Sequence, residues 1–355
     1  MMQLEVRNLR KRWPELTIDA AFTVEAGSLL AIVGPSGCGK STILRMIAGL
    51  LPADSGQLIV NGRDISAALP RERSVGMVFQ DYALFPHLDV GANVGYSLAG
   101  LGRLERARQV QHWLDLVDLN GYAKRKIHEL SGGEKQRVAL ARTLAAKPAV
   151  ILFDEPLSSL DAGLRQRLRQ ELREEQLRLG FTAIYVTHDL EEAMALADQV
   201  AIMVDGRILQ VGSPELVWRN PTSVQAATFL GNMVVVPVLA VYPQAEGGVH
   251  LDTGLGKVAC SQPPQPPDGL PSDATPLALA FDRGKALPDV PEPAAGDLVF
   301  PGRCLRSDFL GDFRDYAIQS HESNLMLRGP AETSIQVGTD HDFTIPSGQL
   351  VWLYR

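Results

Sequence analysis

The run Gly34-Pro35-Ser36-Gly37-Cys38-Gly39-Lys40-Ser41 satisfies the pattern G-x-x-x-x-G-K-[ST] in full. Such a loop suits the phosphates of a nucleotide. Glycine lets backbone N–H groups turn inward on the anion without a Cβ in the way. Lys40 brings a mobile positive charge to the β- and γ-phosphates, the Ser41 hydroxyl is a ligand for Mg²⁺, and Thr42 follows at once. A helix after the loop points its positive N-terminus at the same anion. Downstream, Val150 to Glu155 reads V-I-L-F-D-E, an apolar run ending in two carboxylates. Ligands of open α/β sheets bind at the carboxyl ends of the strands. Asp154 therefore belongs in the Mg²⁺ shell. Glu155 beside it can polarise a water toward the γ-phosphate, as base or as orienter.

A phosphate loop alone fits many unrelated enzymes. Leu130 to Gln136, L-S-G-G-E-K-Q, is more restrictive. Its Ser131 hydroxyl can cap a helix running from Glu134 to Leu144. The stretch also resembles the signature of the ATP-binding cassette (ABC) ATPases, and further pieces stand in that family's order. Gln80 follows the apolar strand Val75 to Phe79, Ser158-Ser159-Leu160-Asp161 occupies the place of the D-loop, and His188 follows a strand ending at Thr187. Trp13 stands where the family has an aromatic against adenine.

The resemblance implies roles residue by residue. Gly34, Ser36, Gly37, Cys38, Gly39, Lys40, Ser41 and Thr42 hold ATP·Mg²⁺. Ser131, Gly132, Gly133 and Gln136 meet the nucleotide bound by a second copy, and Asp161 lies across the dimer seam. Gln80 touches Mg²⁺ and reports to a membrane partner. His188 contacts the γ-phosphate, so Glu155, His188 and Gln80 form the catalytic set, and Ser41, Gln80 and Asp154 the metal set.

Positioning those groups requires alternating strands and helices. Leu4 to Leu9 and Leu16 to Val24 alternate apolar and polar residues as strands do. Ser28 to Val33 is a short apolar strand into the loop, and Ser41 to Leu50 has helical spacing. Asn61-Gly62 and Asp205-Gly206 mark tight hairpins. His87 to Lys147 is helical in pattern, Ala162 to Leu179 is a long charged helix, and Thr182 to Val186 is a strand. This order predicts an α/β domain with a mainly parallel sheet. In the language of the resemblance it is a P-loop NTPase with a RecA-like core, a helical subdomain near residues 87–148 and an antiparallel β-subdomain.

Composition changes after about Asn232. Prolines crowd Ser261 to Pro276 and Leu287 to Gly296, and short strands are predicted at Val234–Val241, Gly248–Leu251, Gly302–Leu305, Asp315–Gln319, Leu325–Arg328 and Gln349–Tyr354. The tail is predicted to be a small all-β barrel. Phe309-Leu310-Gly311-Asp312 resembles a turn of the family's transport-associated OB-like domain. The expected division is 1–232 for the nucleotide-binding domain and 233–355 for a regulatory or dimerisation domain.

The net charge of −7 leaves no electrostatic footprint for nucleic acid. Three scattered cysteines do not make a disulfide framework, which fits a reduced compartment. No uncharged apolar run reaches the ~18 residues that a spanning helix needs. Any membrane role therefore runs through partners. The resemblance, which extends over the whole chain, is to importer ATPases with a C-terminal β-domain. It implies a homodimer around two ATP·Mg²⁺ at the cytoplasmic face of the inner membrane. Residues 80–96 would dock transmembrane permease subunits, and an extracytoplasmic solute-binding protein would act indirectly. Ferric iron, thiamine, a polyamine and an oxyanion stand open as solutes. Trp13-Pro14-Glu15-Leu16 lacks the glycine many sugar importers have there, and the tail is shorter than theirs; both lean toward ferric iron, thiamine or an oxyanion. The alternative is a soluble ABC-type ATPase acting on nucleic acid or ribosomes. The acidic balance and the compact segment between Gln80 and Leu130 weigh against it.

Overall fold

The fold is that of a computed structural model, which describes residues 2–79, 81–158, 162–243, 248–260 and 276–354. Two compact units make up the chain, Met1–Val217 and Trp218–Arg355.

The first unit is organised on one ten-stranded sheet. Gln199–Val204, Leu29–Val33, Thr182–Thr187, Val150–Asp154 and Val75–Val78 lie side by side and parallel. Leu29–Val33 and Thr182–Thr187 are buried at every position, as strands covered on both faces must be. The remaining strands pair mainly antiparallel: Arg63–Asp64, Ser55–Val60, Met2–Arg12, Thr17–Glu25 and Arg207–Gly212. Thr17–Glu25 alternates buried and open positions, so one face meets the core and the other faces out. The sheet is thus mixed, not mainly parallel. Its two halves meet where Arg207–Gly212 pairs antiparallel with Gln199–Val204, and a single parallel bridge from Arg207 to Asp19 joins that strand to Thr17–Glu25. Asn61-Gly62 and Asp205-Gly206 turn their hairpins with positive φ at both residues.

The stretch read as helical breaks into pieces. Helices Val90–Val94, Arg103–Leu116 and Gly132–Ala145 are separated by tighter turns at Gly95–Leu98 and Ile127–Glu129. Gly100, Gly102 and Gly121 fall between them, where helix continuation is costly. These helices bury their own core of Val90, Val94, Leu114, Leu119, Leu130, Val138 and Ala141.

The second unit begins before the predicted change at Asn232. Two short helices, Pro214–Arg219 and Val224–Leu230, precede its first long strand, Met233–Pro243. Beyond that point its described residues form two five-stranded antiparallel sheets with one short 3-10 turn at Ser347–Gln349. Strands Gly256–Cys260, Ala278–Asp282 and Asp340–Ile345 were not expected. Ala278–Asp282 is buried along its apolar length, so it shows no alternation to read. The two sheets share a core in which Phe281, Phe300, Tyr316 and Phe343 are all buried. Phe300 stacks on Phe343 with ring centroids 5.7 Å apart. Phe300→Ala is expected to cost about 3–5 kcal/mol through lost burial and a residual cavity. Urea denaturation followed by tryptophan fluorescence would read it as an earlier transition.

Candidate functional site

The loop from Gly34 to Gly39 joins the buried strand Leu29–Val33 to the helix Lys40–Ala48. Two glycines in it are required by space. A Cβ on Gly34 would sit 1.9 Å from the Met203 carbonyl oxygen, and one on Gly39 would sit 2.0 Å from Ile18 Cδ1. Gly39 also has φ of 106°, closed to ordinary side chains. Lys40 is buried, and its Nζ donates to the carbonyls of Gly34 at 2.8 Å and Pro35 at 2.9 Å. Cys38 is tucked beneath the loop. Burial pushes its thiol above the ordinary value, against the opposing pull of Lys40. It is poorly suited to act as a nucleophile.

Two carboxylates reach the loop from the end of Val150–Asp154. The Ser41 hydroxyl donates to Asp154 Oδ1 at 2.7 Å. Glu155 has a positive φ of 46°, and its N–H donates to the Val186 carbonyl of the neighbouring strand at 3.0 Å. That kink turns its side chain to His188, whose Nδ1 lies 3.0 Å from Glu155 Oε2. The Ser158 hydroxyl donates back to the Glu155 carbonyl at 3.0 Å. Glu155 and His188 come from adjacent strand ends, since Val150–Asp154 pairs directly with Thr182–Thr187.

A cleft of about 620 Å³ opens over this loop. Ser36, Gly37, Gly39, Lys40, Ser41, Thr42 and Glu155 line one side, and Trp13 lines it with Pro14, Glu15 and Leu16. Trp13 is 39% exposed, and Lys11 Nζ lies 5.9 Å from its ring centroid. Its N–H donates to the Leu16 carbonyl at 2.9 Å, closing the turn that presents the ring.

The predicted signature stands apart from that cleft. Ser131 caps Gly132–Ala145: its Oγ accepts from the Glu134 N–H at 3.4 Å, while Glu134 Oε2 accepts from the Ser131 N–H at 2.7 Å. The latter bond is the main cause holding the Glu134 carboxyl below its ordinary value. Gly133 is confined by Leu168, whose Cδ2 would lie 2.7 Å from an added Cβ. Gln136, on the same helix, is buried. None of Ser131, Gly132, Gly133 and Gln136 lines the cleft over Lys40. Gln80 and Asp161 fall outside the described residues.

Two groups near the site escaped sequence reasoning. Glu15 lines the cleft because of a turn that no motif announces. Glu192 is buried and accepts hydrogen bonds from Tyr185 Oη at 2.6 Å and from the Thr187 hydroxyl. It braces the strand end that carries His188. Asp189, which caps the next helix by accepting from the Glu192 N–H at 3.0 Å, was the available signal. Residues 81–96 are organised around a buried Asn93. It accepts from the Phe85 N–H at 2.8 Å and donates to the Phe85 carbonyl at 3.1 Å. Arg142 of Gly132–Ala145 donates to the carbonyls of Tyr82 and Ala83 at 2.9 and 2.7 Å, tying the two segments together.

The family model described as ABC transporter matches residues 18–158. The chain is similar to a Fe(3+) ions import ATP-binding protein FbpC from Brucella abortus (strain 2308), 41% identical over 338 residues, covering 94% of this chain and 92% of the relative. A protein of the same description from Rhizobium etli is 42% identical over 325 residues, covering 90% and 89%. One from Escherichia coli O157:H7 is 46% identical over 238 residues, covering 66% of this chain and 68% of the relative. Among solved structures, cbiO1 from Clostridium perfringens, part of the ABC transporter complex cbiONQ, matches with a TM-score of 0.55 at 30% identity. The match covers 61% of this chain and 90% of that one. These relatives fit an importer ATPase and not an enzyme acting on nucleic acid.

Proposed function

The chain belongs to the ABC transporter family and is an ATP-hydrolysing importer subunit, and from that premise we propose that it drives uptake of ferric iron through the site built on Lys40, Asp154 and Glu155. The solute is inferred from relatives described as Fe(3+) importers that share nearly the whole chain. The observation that carries the site is the meeting of Lys40, Ser41, Asp154, Glu155 and His188 at the ends of adjacent parallel strands.

The phosphates of ATP lie along the loop N–H groups and the Lys40 ammonium. Trp13 offers its exposed ring to the adenine. Glu155 orients or deprotonates the water that attacks the γ-phosphorus, as the bond to the β-phosphate oxygen breaks. His188 holds the Glu155 carboxylate and faces the same phosphate. Ser41 and Asp154 present hard oxygen donors 2.7 Å apart, a pairing that fits Mg²⁺, with Gln80 as a further ligand. Among the described residues no group of three or more His, Cys, Asp or Glu side chains is placed to hold a metal alone. That suits an ion that completes its shell with substrate phosphates and water. Mg²⁺ at Ser41 and Asp154 would neutralise phosphate charge.

Ser131, Gly132, Gly133 and Gln136 serve the nucleotide of a second copy, with Asp161 across the seam. That Ser131, Gly132, Gly133 and Gln136 do not line the chain's own cleft supports this. Residues 1–232 form the nucleotide-binding domain with its helical part at 87–148, and 233–355 dimerise or regulate. Among the described residues no helix is long and apolar enough to cross a membrane. Permease subunits dock on residues 80–96, at the cytoplasmic face, and a solute-binding protein acts through them.

The test is transport. Vesicles reconstituted with this chain, its permease and its binding protein should accumulate Fe³⁺ only with ATP. Uptake of thiamine, a polyamine or an oxyanion in place of Fe³⁺ would refute the assignment of solute.

A further inference from the structure

The helices Gly132–Ala145 and Ala162–Leu179 meet across a seam in which the buried Leu140, Leu168 and Leu172 pack beside polar side chains. Around a cavity of about 10 Å³, near the size of one water, the described side chains leave several polar groups unsatisfied. Gln136 Oε1, Arg137 Nε and Glu171 Oε2 are buried without a hydrogen-bond partner. Arg137 Nη1 approaches Glu171 Oε2 only to 3.5 Å. Folded proteins satisfy the large majority of such groups. A cluster of exceptions marks contacts that separate at low cost.

Glu175 lines the same cavity one turn beyond Glu171 and is only 7% exposed. The charged groups that face it come from each surrounding element. Arg178 and Glu171 lie on its own helix, Arg137 on Gly132–Ala145, and Asp118 in the turn after Arg103–Leu116. Arg178 Nη2 is engaged by the Leu116 carbonyl. Burial pushes the Glu175 carboxyl up to about 7. Arg178 and Arg137 oppose the rise, and Asp118 and Glu171 add to it. The carboxyl therefore carries a proton below neutral pH and a buried negative charge above it.

We propose that Glu175 is a positioning residue for the signature segment, and that its protonation seats Gly132–Ala145 on Ala162–Leu179. Ser131 and Gly133 stand at the N-terminus of the helix whose next turn holds Gln136 and Arg137. Whatever loosens the seam moves them. Ionised Glu175 faces Arg178 and Arg137 as well as Asp118 and Glu171, but burial outweighs those attractions, and the charge draws water between the helices. The neutral acid leaves the seam closed. The consequence for turnover rests on the reading that Ser131 and Gly133 complete a second copy's site.

Two readouts on the full chain test it, each between about pH 6 and pH 8. ATP turnover of the unaltered protein should fall about five-fold or more as pH rises through neutrality. Glu175→Gln, which keeps the shape of the neutral acid, should abolish that fall, and so should the apolar Glu175→Leu. KM for ATP should not move. Amide exchange across residues 132–145, taken at each pH as the rate in the unaltered chain over that in Glu175→Gln so that the intrinsic base-catalysed rise cancels, should give a ratio that grows with pH. Superimposed pH responses of the Glu175→Gln variant and the unaltered chain in both readouts would overturn the proposal. Exchange that follows Glu175 while turnover ignores it would uphold the proton-linked seam and overturn the role given to Ser131.

Discussion

Glu155→Gln should lower steady-state ATP turnover by on the order of 10²–10⁴-fold while leaving ATP binding in place. The substitution keeps size and planarity and removes only the negative charge and the proton-accepting oxygen. The Glu155 N–H still donates to Val186, and the Ser158 hydroxyl still donates to the Glu155 carbonyl, so the kinked strand end keeps its backbone anchors. Contact with His188 also survives, since an amide can donate or accept. The rest of the cleft lining, Lys40, Ser41 and Thr42 included, is unchanged. The proposed outcome is a chain that binds ATP, closes on a second copy and stays closed. Phosphate release measured beside nucleotide binding and size-exclusion chromatography in ATP checks it. Robust hydrolysis by the variant would remove Glu155 from the chemistry.

Lys40→Ala should act earlier. It removes the buried ammonium that the carbonyls of Gly34 and Pro35 hold at the base of the cleft. Charge-assisted contacts to phosphate oxygens are among the strongest hydrogen bonds available to a protein. ATP affinity should drop at least about ten-fold, since one lost charge-assisted bond is worth ~1.5–3 kcal/mol. Turnover at saturating ATP should fall by a further ~10²–10³-fold as transition-state charge goes uncompensated. The fold should persist, because truncating Lys40 leaves two carbonyls beside an open cleft where water can replace the ammonium. Binding followed with a fluorescent ATP analogue separates the two effects. Unchanged affinity would show that the backbone of the loop holds the phosphates without Lys40.

The two variants separate binding from chemistry. Both act in the cleft and leave the seam untouched. Glu175 lies between the helices Gly132–Ala145 and Ala162–Leu179 and lines a cavity distinct from the cleft over Lys40. A pH response that survives in nucleotide affinity but not in turnover would belong to the cleft rather than to Glu175.

Local chemistry was legible from residue order alone. The phosphate loop is contiguous, and its pattern of glycines, lysine and hydroxyl has one physical reading. The capping box at Ser131 and Glu134, the Asn61-Gly62 and Asp205-Gly206 hairpins and the helix Ala162–Leu179 are equally local, and each is present. The ABC family, too, followed from motifs in order. What depends on long-range packing did not follow. Burial erases alternation, so Ala278–Asp282 carried no strand pattern. The N-terminal antiparallel strands join the sheet through one bridge between Arg207 and Asp19, distant in sequence. Motif order grouped Ser41 with Asp154 and Glu155 with His188, but the contacts themselves exist because separate strands end at one edge of the sheet. Glu175 is the sharpest case. In sequence it sits in L-R-E-E-Q-L-R-L, a charged stretch that reads as solvated helix surface. Tertiary packing alone turned it inward beside Glu171 and Arg137, and a buried carboxyl differs from a surface one by the cost of holding charge away from water.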